Sequence, residues 1–273
     1  MSKVWFVTGS SRGLGLAIVE AALRSGASVI ATARKPEQLQ HLVKKYGDKV
    51  FPVALDVTNN SDVLKAVNAG HEKFGRIDVV VNNAGYADTS SVEDIDIADF
   101  RAQIDANFYG TVYVSKAVIP ILRQQGSGHI IQVSSVGGRL ASPGLAAYQS
   151  AKSAVGRFSG VLGQEVAPLG VKVTVIEPGG MATDWAGSSM KIPPISEPYR
   201  QTVGAFADFV KSQSEDGPSK PAKVADIILK LTDINDPPAK LLIGPDAYLH
   251  ATAAGDALRA SDEKWEELGK SSV

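Results

Sequence analysis

The sequence predicts a doubly wound α/β fold: one domain over residues 1–273, with a mostly parallel seven-stranded sheet and helices on both faces. Three observations carry this. Short β-branched apolar runs recur from end to end, and several are apolar at consecutive positions, as strands covered on both faces must be. Segments with helical apolar spacing separate them, an alternation that gives parallel strands joined by right-handed crossovers. With 273 residues and 44% apolar side chains, the chain can bury roughly three quarters of its unfolded surface in a single core.

In chain order, Val4 to Thr8 reads as the first strand and Leu16, Val19 and Leu23 as the apolar face of the helix that follows. Val29 to Ala33 and Val50 to Leu55 are the second and third strands. A helix from Asn59 to Phe74 leads to a fourth strand, Asp78 to Asn82. Ala98 to Leu122 has helical spacing and precedes the strand Ile130 to Ser134. A helix over Ala147 to Leu169 leads into Val171 to Glu177, and Leu241 to Gly244 is the last strand. Between Met181 and Lys220 the pattern loosens around Pro193, Pro194, Pro198 and Pro218. Within it Tyr199, Val203, Phe206 and Val210 form one apolar helical face, either a helix packed on the core or a lid over an apolar substrate. A helical tail covers about 246–273.

Thr8 to Gly15, reading TGSSRGLG, joins the first strand to the first helix. Gly9 suits the tight turn, Gly13 leaves no Cβ against a phosphate, and Gly15 lets helix and strand approach. The N–H groups from Ser11 through Leu14 and the positive end of the helix then face a pyrophosphate. Gly9 to Gly13 also spells GxSxG, so a serine hydrolase using Ser11 is a second reading, with His129 and His250 later in the chain. Its setting after the first strand and its surplus of glycines favour the nucleotide. The second strand ends in Arg34 where an NAD site would carry a carboxylate, and Arg12 lies in the glycine turn. Two guanidinium groups suit a 2′-phosphate, so NADP(H) is expected over NAD(H).

Tyr148 and Lys152 are four apart on a predicted helix and share one face. Lowering a phenol from pKa ~10 by about three units needs roughly 4 kcal/mol of preference for phenolate, which an ammonium at ~4 Å supplies in a partly desolvated site. Ser135 stands just beyond the strand ending at Ser134, where ligands bind in such sheets; either serine has the hydroxyl to polarise a carbonyl, and strand alternation selects one.

Together these motifs resemble the short-chain dehydrogenase/reductase family over about residues 3–185 and again near 241–246. TGxxxGxG stands at Thr8 to Gly15, Asp56-Val57 is similar to the adenine contact, and Asn82-Asn83-Ala84-Gly85 to the NNAG motif. Asn107, Ser135, Tyr148 and Lys152 fall on the catalytic tetrad, and Pro178-Gly179 with Thr183 on the nicotinamide segment. The resemblance implies a Rossmann-like domain with Tyr148 as general acid/base and Lys152 lowering its pKa and holding the nicotinamide ribose. Ser135 would orient the carbonyl, and Asn107 would place a water that links Lys152 to solvent. Asn83, Ala84 and Gly85 would contact the cofactor. Each asparagine and Asp56 also has a plain structural use, as a cap, a helix start or a tie between strands. A silent NADPH-binding redox sensor is the remaining alternative; it would need the glycine turn without the tetrad.

Twenty-eight basic against 29 acidic residues leave a net charge of −1, too little to gather nucleic acid or anionic lipid. With no cysteine and four scattered histidines, no metal site is expected. No apolar run is long enough for a membrane helix, and a cytoplasmic location is expected. The segments around Tyr86, 136–145 and 181–220 are mostly apolar or small, which points to a hydrophobic ketone, aldehyde or alcohol. Glu177 to Trp185 is similar to the branch with steroid and retinoid dehydrogenases. The family's long helices imply a homodimer or homotetramer, and a tail carrying Leu249, Leu258, Trp265 and Leu268 could cover its own subunit or a partner's.

Overall fold

The computed structural model describes residues 2–182, 190–212 and 217–272. Seven parallel strands form one sheet in the order β3-β2-β1-β4-β5-β6-β7. They are β1 (Val4–Val7), β2 (Ser28–Ala33), β3 (Val50–Ala54), β4 (Val79–Asn82), β5 (Gly128–Val133), β6 (Val171–Pro178) and β7 (Lys240–Ile243). The helices are α1 (Gly13–Arg24), α2 (Gln40–Tyr46), α3 (Asn60–Phe74), α4 (Ile97–Ile104), α5 (Gly110–Gln125), α6 (Ala146–Val166), α7 (Ala205–Ser212), α8 (Pro221–Leu231) and α9 (Pro245–Lys270).

Alternation along the strands builds two cores. Trp5, Val7, Val29, Val81 and Ile131 face one way, toward Ile18 and Leu23 of α1 and Ile228 of α8. Val4, Phe6, Ile30, Val80 and Ile130 face the other, toward Val67 of α3, Val118 of α5 and Leu162 of α6. The continuous apolar runs therefore mark strands buried on both faces. Because every strand points the same way, all seven C-terminal ends meet at one edge. The order reverses between β1 and β4, which opens the ligand crevice there.

Three elements differ from the sequence reading. The single helix expected over 98–122 is α4 and α5 joined through a π-helical turn, Asp105–Tyr109. Such turns widen the helix by one residue and re-aim side chains. The apolar face from Tyr199 to Val210 is real, but it begins in a 3₁₀ turn and a π turn before α7. The tail is one 26-residue helix, α9, that buries only Ala247 and Ala251. Leu249, Leu258, Trp265 and Leu268 are exposed, so α9 covers its own subunit only through its first two turns, at Ala247 and Ala251.

His129 opens the interior of β5 and is buried, its Nε2 2.9 Å from Thr174 Oγ1. Burial, with Lys172 and Lys3 adding positive charge, pushes it down from 6.5 to about 4. Below about pH 6.5 the unfolded chain takes a proton that the folded one refuses, so stability falls with pH until about 4. That shift amounts to roughly 3 kcal/mol. Urea unfolding at pH 7 and pH 4 should show a drop larger by about this amount in the native protein than in His129→Gln.

Candidate active site

The glycine turn folds as its residues require. Gly9 and Gly13 have φ of 67° and 55°, in the left-handed region. A Cβ on Gly15 would lie 2.1 Å from the Gly9 carbonyl oxygen and 2.6 Å from Asn83 Nδ2. Arg12 takes the N-cap position of α1 in extended conformation, and no side chain caps the helix. Leu14 is buried against the core, so its backbone rather than its side chain faces the crevice. The first N–H groups of α1, with no acidic side chain in the first turn, thus form a cradle for a pyrophosphate. Ser10, not Ser11, is tied down: its hydroxyl donates to Val7 O at 2.9 Å.

Thr8 and Asn83 lock this turn to the end of β4. Thr8 Oγ1 accepts from the N–H groups of Asn83 and Ala84 at 2.9 and 3.0 Å. Asn83 Nδ2 donates to the carbonyls of Thr8 and Gly9 at 3.0 and 3.2 Å. Asn82 ties strands together, donating to Gln132 Oε1 of β5 at 2.8 Å. The Asn83 side chain thus has a structural task, and Ala84 and Gly85 form the crevice wall beside it.

At the ends of β2 and β3 a cavity of about 450 Å³ is lined by Arg34, Ala54, Leu55, Asp56, Asp62 and Lys65. Arg34 is exposed at its rim. Arg12 is not among its lining residues, whereas Lys65, a cation on α3 that no motif singles out, is. Asp56 Oδ1 accepts from Thr58 N and Oγ1 at 3.0 and 2.8 Å, which shapes the loop through Val57. Asn59, not Asp56, caps α3.

Across the reversal point, β5 and α6 bring the remaining groups together. Ser134 Oγ donates to the Lys152 carbonyl at 3.0 Å and so faces the helix. Ser135 is left on the open side, its Oγ accepting from Gly137 N at 3.0 Å and hydrogen-bonded with Tyr148. Lys152 Nζ donates to Val133 O at 2.9 Å and lies 5.7 Å from the Tyr148 ring centroid. Asn107, in the π turn, donates to Tyr86 O at 2.7 Å and Gln103 O at 2.9 Å. Its buried Oδ1 has no partner among the described residues and, with Lys152 Nζ, crowds Gly85, where a Cβ would meet them at 2.4 and 3.5 Å. The four predicted tetrad residues therefore converge. Pro178 and Gly179 close β6 nearby, and Gly179 has Asp246 of α9 packed where a side chain would stand. Thr183 lies outside the described residues.

The electrostatics depart from the expected sign. Burial pushes the Tyr148 phenol up to about 12 against the opposing hydrogen bond from Ser135, and burial lowers Lys152 to about 8. Desolvation thus sets the direction of both shifts in the cofactor-free site, and the phenol holds its proton.

An apolar cover explains that burial. Ala87, Leu145 and Met190 pack on Tyr148, with Ile192, Phe206 and Val210 around them. Hydrogen bonds hold the cover to the loop after β4: Thr89 N to Lys191 O at 3.0 Å, Ser196 Oγ to Asp94 Oδ2 at 2.9 Å and Tyr199 Oη to Glu93 Oε2 at 2.5 Å. Met190 and Ala87 had no motif to mark them, since only the folded loop brings them onto the phenol.

A doubly wound parallel sheet, an uncapped glycine-rich turn and a Ser-Tyr-Lys cluster at the strand ends define a dinucleotide-binding oxidoreductase. The short chain dehydrogenase family model matches residues 3–192, and the chain belongs to that family. It is 66% identical over 274 residues to oxidoreductase BOA17 of Botryotinia fuckeliana, covering 100% of both chains. Its fold is similar to a short-chain dehydrogenase from Streptomyces avermitilis, at 34% identity and a TM-score of 0.93, covering 100% of this chain and 98% of that one. It is also similar to a Burkholderia cenocepacia short chain dehydrogenase in complex with NADP, at 27% identity and a TM-score of 0.76, over 96% and 97% of the two chains. Among the described residues no His, Asp or Glu cluster could hold a metal ion, and no helix is long and apolar enough to cross a membrane.

Replacing Thr8 with valine leaves the N–H groups of Asn83 and Ala84 without their acceptor. A loss of about 2 kcal/mol is expected in urea unfolding, with Thr8→Ser keeping most of it.

Proposed function

We propose that the protein is an NADP(H)-dependent carbonyl reductase that interconverts a hydrophobic ketone or aldehyde and its alcohol, with Tyr148 as general acid/base. The observation that carries this is the convergence of Ser135, Tyr148, Lys152 and Asn107 beneath an apolar cover. When bound, NADPH supplies the hydride for the carbonyl carbon. Ser135 Oγ hydrogen-bonds the carbonyl oxygen and aligns it with the phenol. Tyr148 Oη keeps its proton in the buried site and gives it to that oxygen as negative charge develops there. Lys152, held at Val133 O, places positive charge beside the phenolate that is left. Asn107 holds the water through which Lys152 and Tyr148 regain a proton.

The cofactor choice is supported by Arg34 and Lys65 at the rim of the adenine-side cavity, where a 2′-phosphate needs cations, and by the absence of a carboxylate directly after β2. The apolar residues over Tyr148 support a hydrophobic substrate, because a charged one would be desolvated there without a partner. Tyr109 and Val161, exposed on the π turn and on α6, support a homodimer paired through the long helices.

NADPH consumption against a panel of apolar ketones and aldehydes tests the reading. Tyr148→Phe should lower kcat by about 10²–10⁴-fold while NADPH still binds, a range set by general acid catalysis; full activity in that variant defeats the mechanism. NADPH bound without turnover by the native protein across the panel favours the redox sensor.

Arg34→Ala should weaken NADPH binding by about tenfold to a hundredfold and leave NADH binding nearly unchanged, as loss of a charge-assisted phosphate contact predicts. Dissociation constants from quenching of tryptophan fluorescence report both.

A further inference from the structure

Glu177 is a carboxylate that the proton chemistry does not use. It lies on β6 directly before Pro178-Gly179, with a side chain only 3% exposed, and it forms an ion pair with Arg139, which is 38% exposed. Arg139 ends the turn that starts at Ser135. In that turn the Ser135 carbonyl accepts from Gly138 N at 2.9 Å and the Val136 carbonyl from Arg139 N at 2.8 Å. Gly138 is pressed against α6, for a Cβ there would stand 3.0 Å from the Lys152 carbonyl carbon and oxygen. Val136 and Leu140 pack on Leu242, Ala247 and Ala251. One end of the turn therefore bears the carbonyl-binding hydroxyl, and the other is tied by charge to the strand end below the nicotinamide segment.

We propose that Arg139 and Glu177 are a positioning pair that fixes the Ser135 hydroxyl relative to Pro178-Gly179, and so sets the carbonyl against the hydride donor. The proposal rests on the reductase reading for its effect on turnover. The pair touches none of the reacting atoms in that reading. It acts through the turn, and a carboxylate this buried has no water to replace its partner.

The experiment compares Arg139→Met, Arg139→Lys, Glu177→Gln and the double variant Arg139→Met/Glu177→Gln with the native protein. Two readouts are taken: steady-state kinetics with NADPH, and amide hydrogen exchange without cofactor. Arg139→Met is expected to lower kcat by about tenfold to a hundredfold, the usual cost of misplacing a reacting group. The dissociation constant for NADPH and the KM for the ketone stay within about threefold. Arg139→Lys recovers part of the loss, and the double variant is no worse than the worse single one, because the two residues act as a unit. Exchange at Gly137 and Gly138 accelerates by about tenfold or more in Arg139→Met while the β5 amides keep their protection. Unchanged exchange in the turn overturns the proposal, as does additive loss in the double variant. Uniform loss of protection together with unchanged kcat reduces the pair to general stability and overturns it as well. If the native protein turns over no carbonyl compound, the reductase reading fails, and the exchange data still decide whether the pair holds the turn.

Discussion

Two titratable side chains on adjacent turns of one helix are taken out of water at the edge of a parallel sheet, and the rest of the site is arranged around that fact. Lys152 needs an acceptor where no solvent reaches, and the carbonyl of Val133 at the end of β5 provides it. Glycine is required on both sides of the lysine. Gly85 leaves room for Asn107 Oδ1 and Lys152 Nζ, each of which a Cβ there would crowd, and Gly138 leaves room for the lysine's own backbone. The same burial keeps the Tyr148 phenol protonated and the ammonium weakly held. Desolvation alone keeps the proton on the phenol and penalises the phenolate that donation would leave.

The parts of the fold legible in the sequence are those governed by short-range pattern. Val29 to Ala33 and Ile130 to Ser134 read as buried strands because apolar residues stand at consecutive positions on both faces, and the glycine spacing from Gly9 to Gly15 announces its turn through steric demand. Tyr148 and Lys152 are visible as a pair because a helix has one period. Ser135 and Ser134 were ambiguous in the sequence because the strand ends between them; only the packing of α6 shows that Ser134 points to the Lys152 carbonyl. Thr183 falls outside the described residues.

What the sequence concealed depends on contacts between distant segments. The π turn around Asn107 has no propensity signature: Asp105 to Tyr109 is an ordinary helical stretch, and the bonds from Asn107 to Tyr86 and Gln103 form only in the fold. The i,i+4 spacing shows the cation beside Tyr148 but not Met190, Ala87 and Leu145, whose cover desolvates the phenol and raises its pKa in the cofactor-free site. Lys65 likewise joins Arg34 only when α3 folds back over the end of β3. Helix α9 looks from its leucines and Trp265 like a segment that packs on the body, yet its apolar side chains beyond Ala251 meet solvent.

The strand order also governs how the molecule is made. β1 is synthesised before the other six strands of the sheet and is central in it, between β2 and β4. Residues through β3 can pair as soon as they emerge, giving the half that carries the glycine turn, but one edge of β1 stays open until β4 has been synthesised. At ~5–20 residues per second that interval is on the order of seconds, during which an apolar strand edge is available to the wrong partner. From β4 onward each new strand adds to the edge just formed, in the order of its synthesis. The strands that carry the glycine turn are therefore all synthesised before the helix bearing Tyr148.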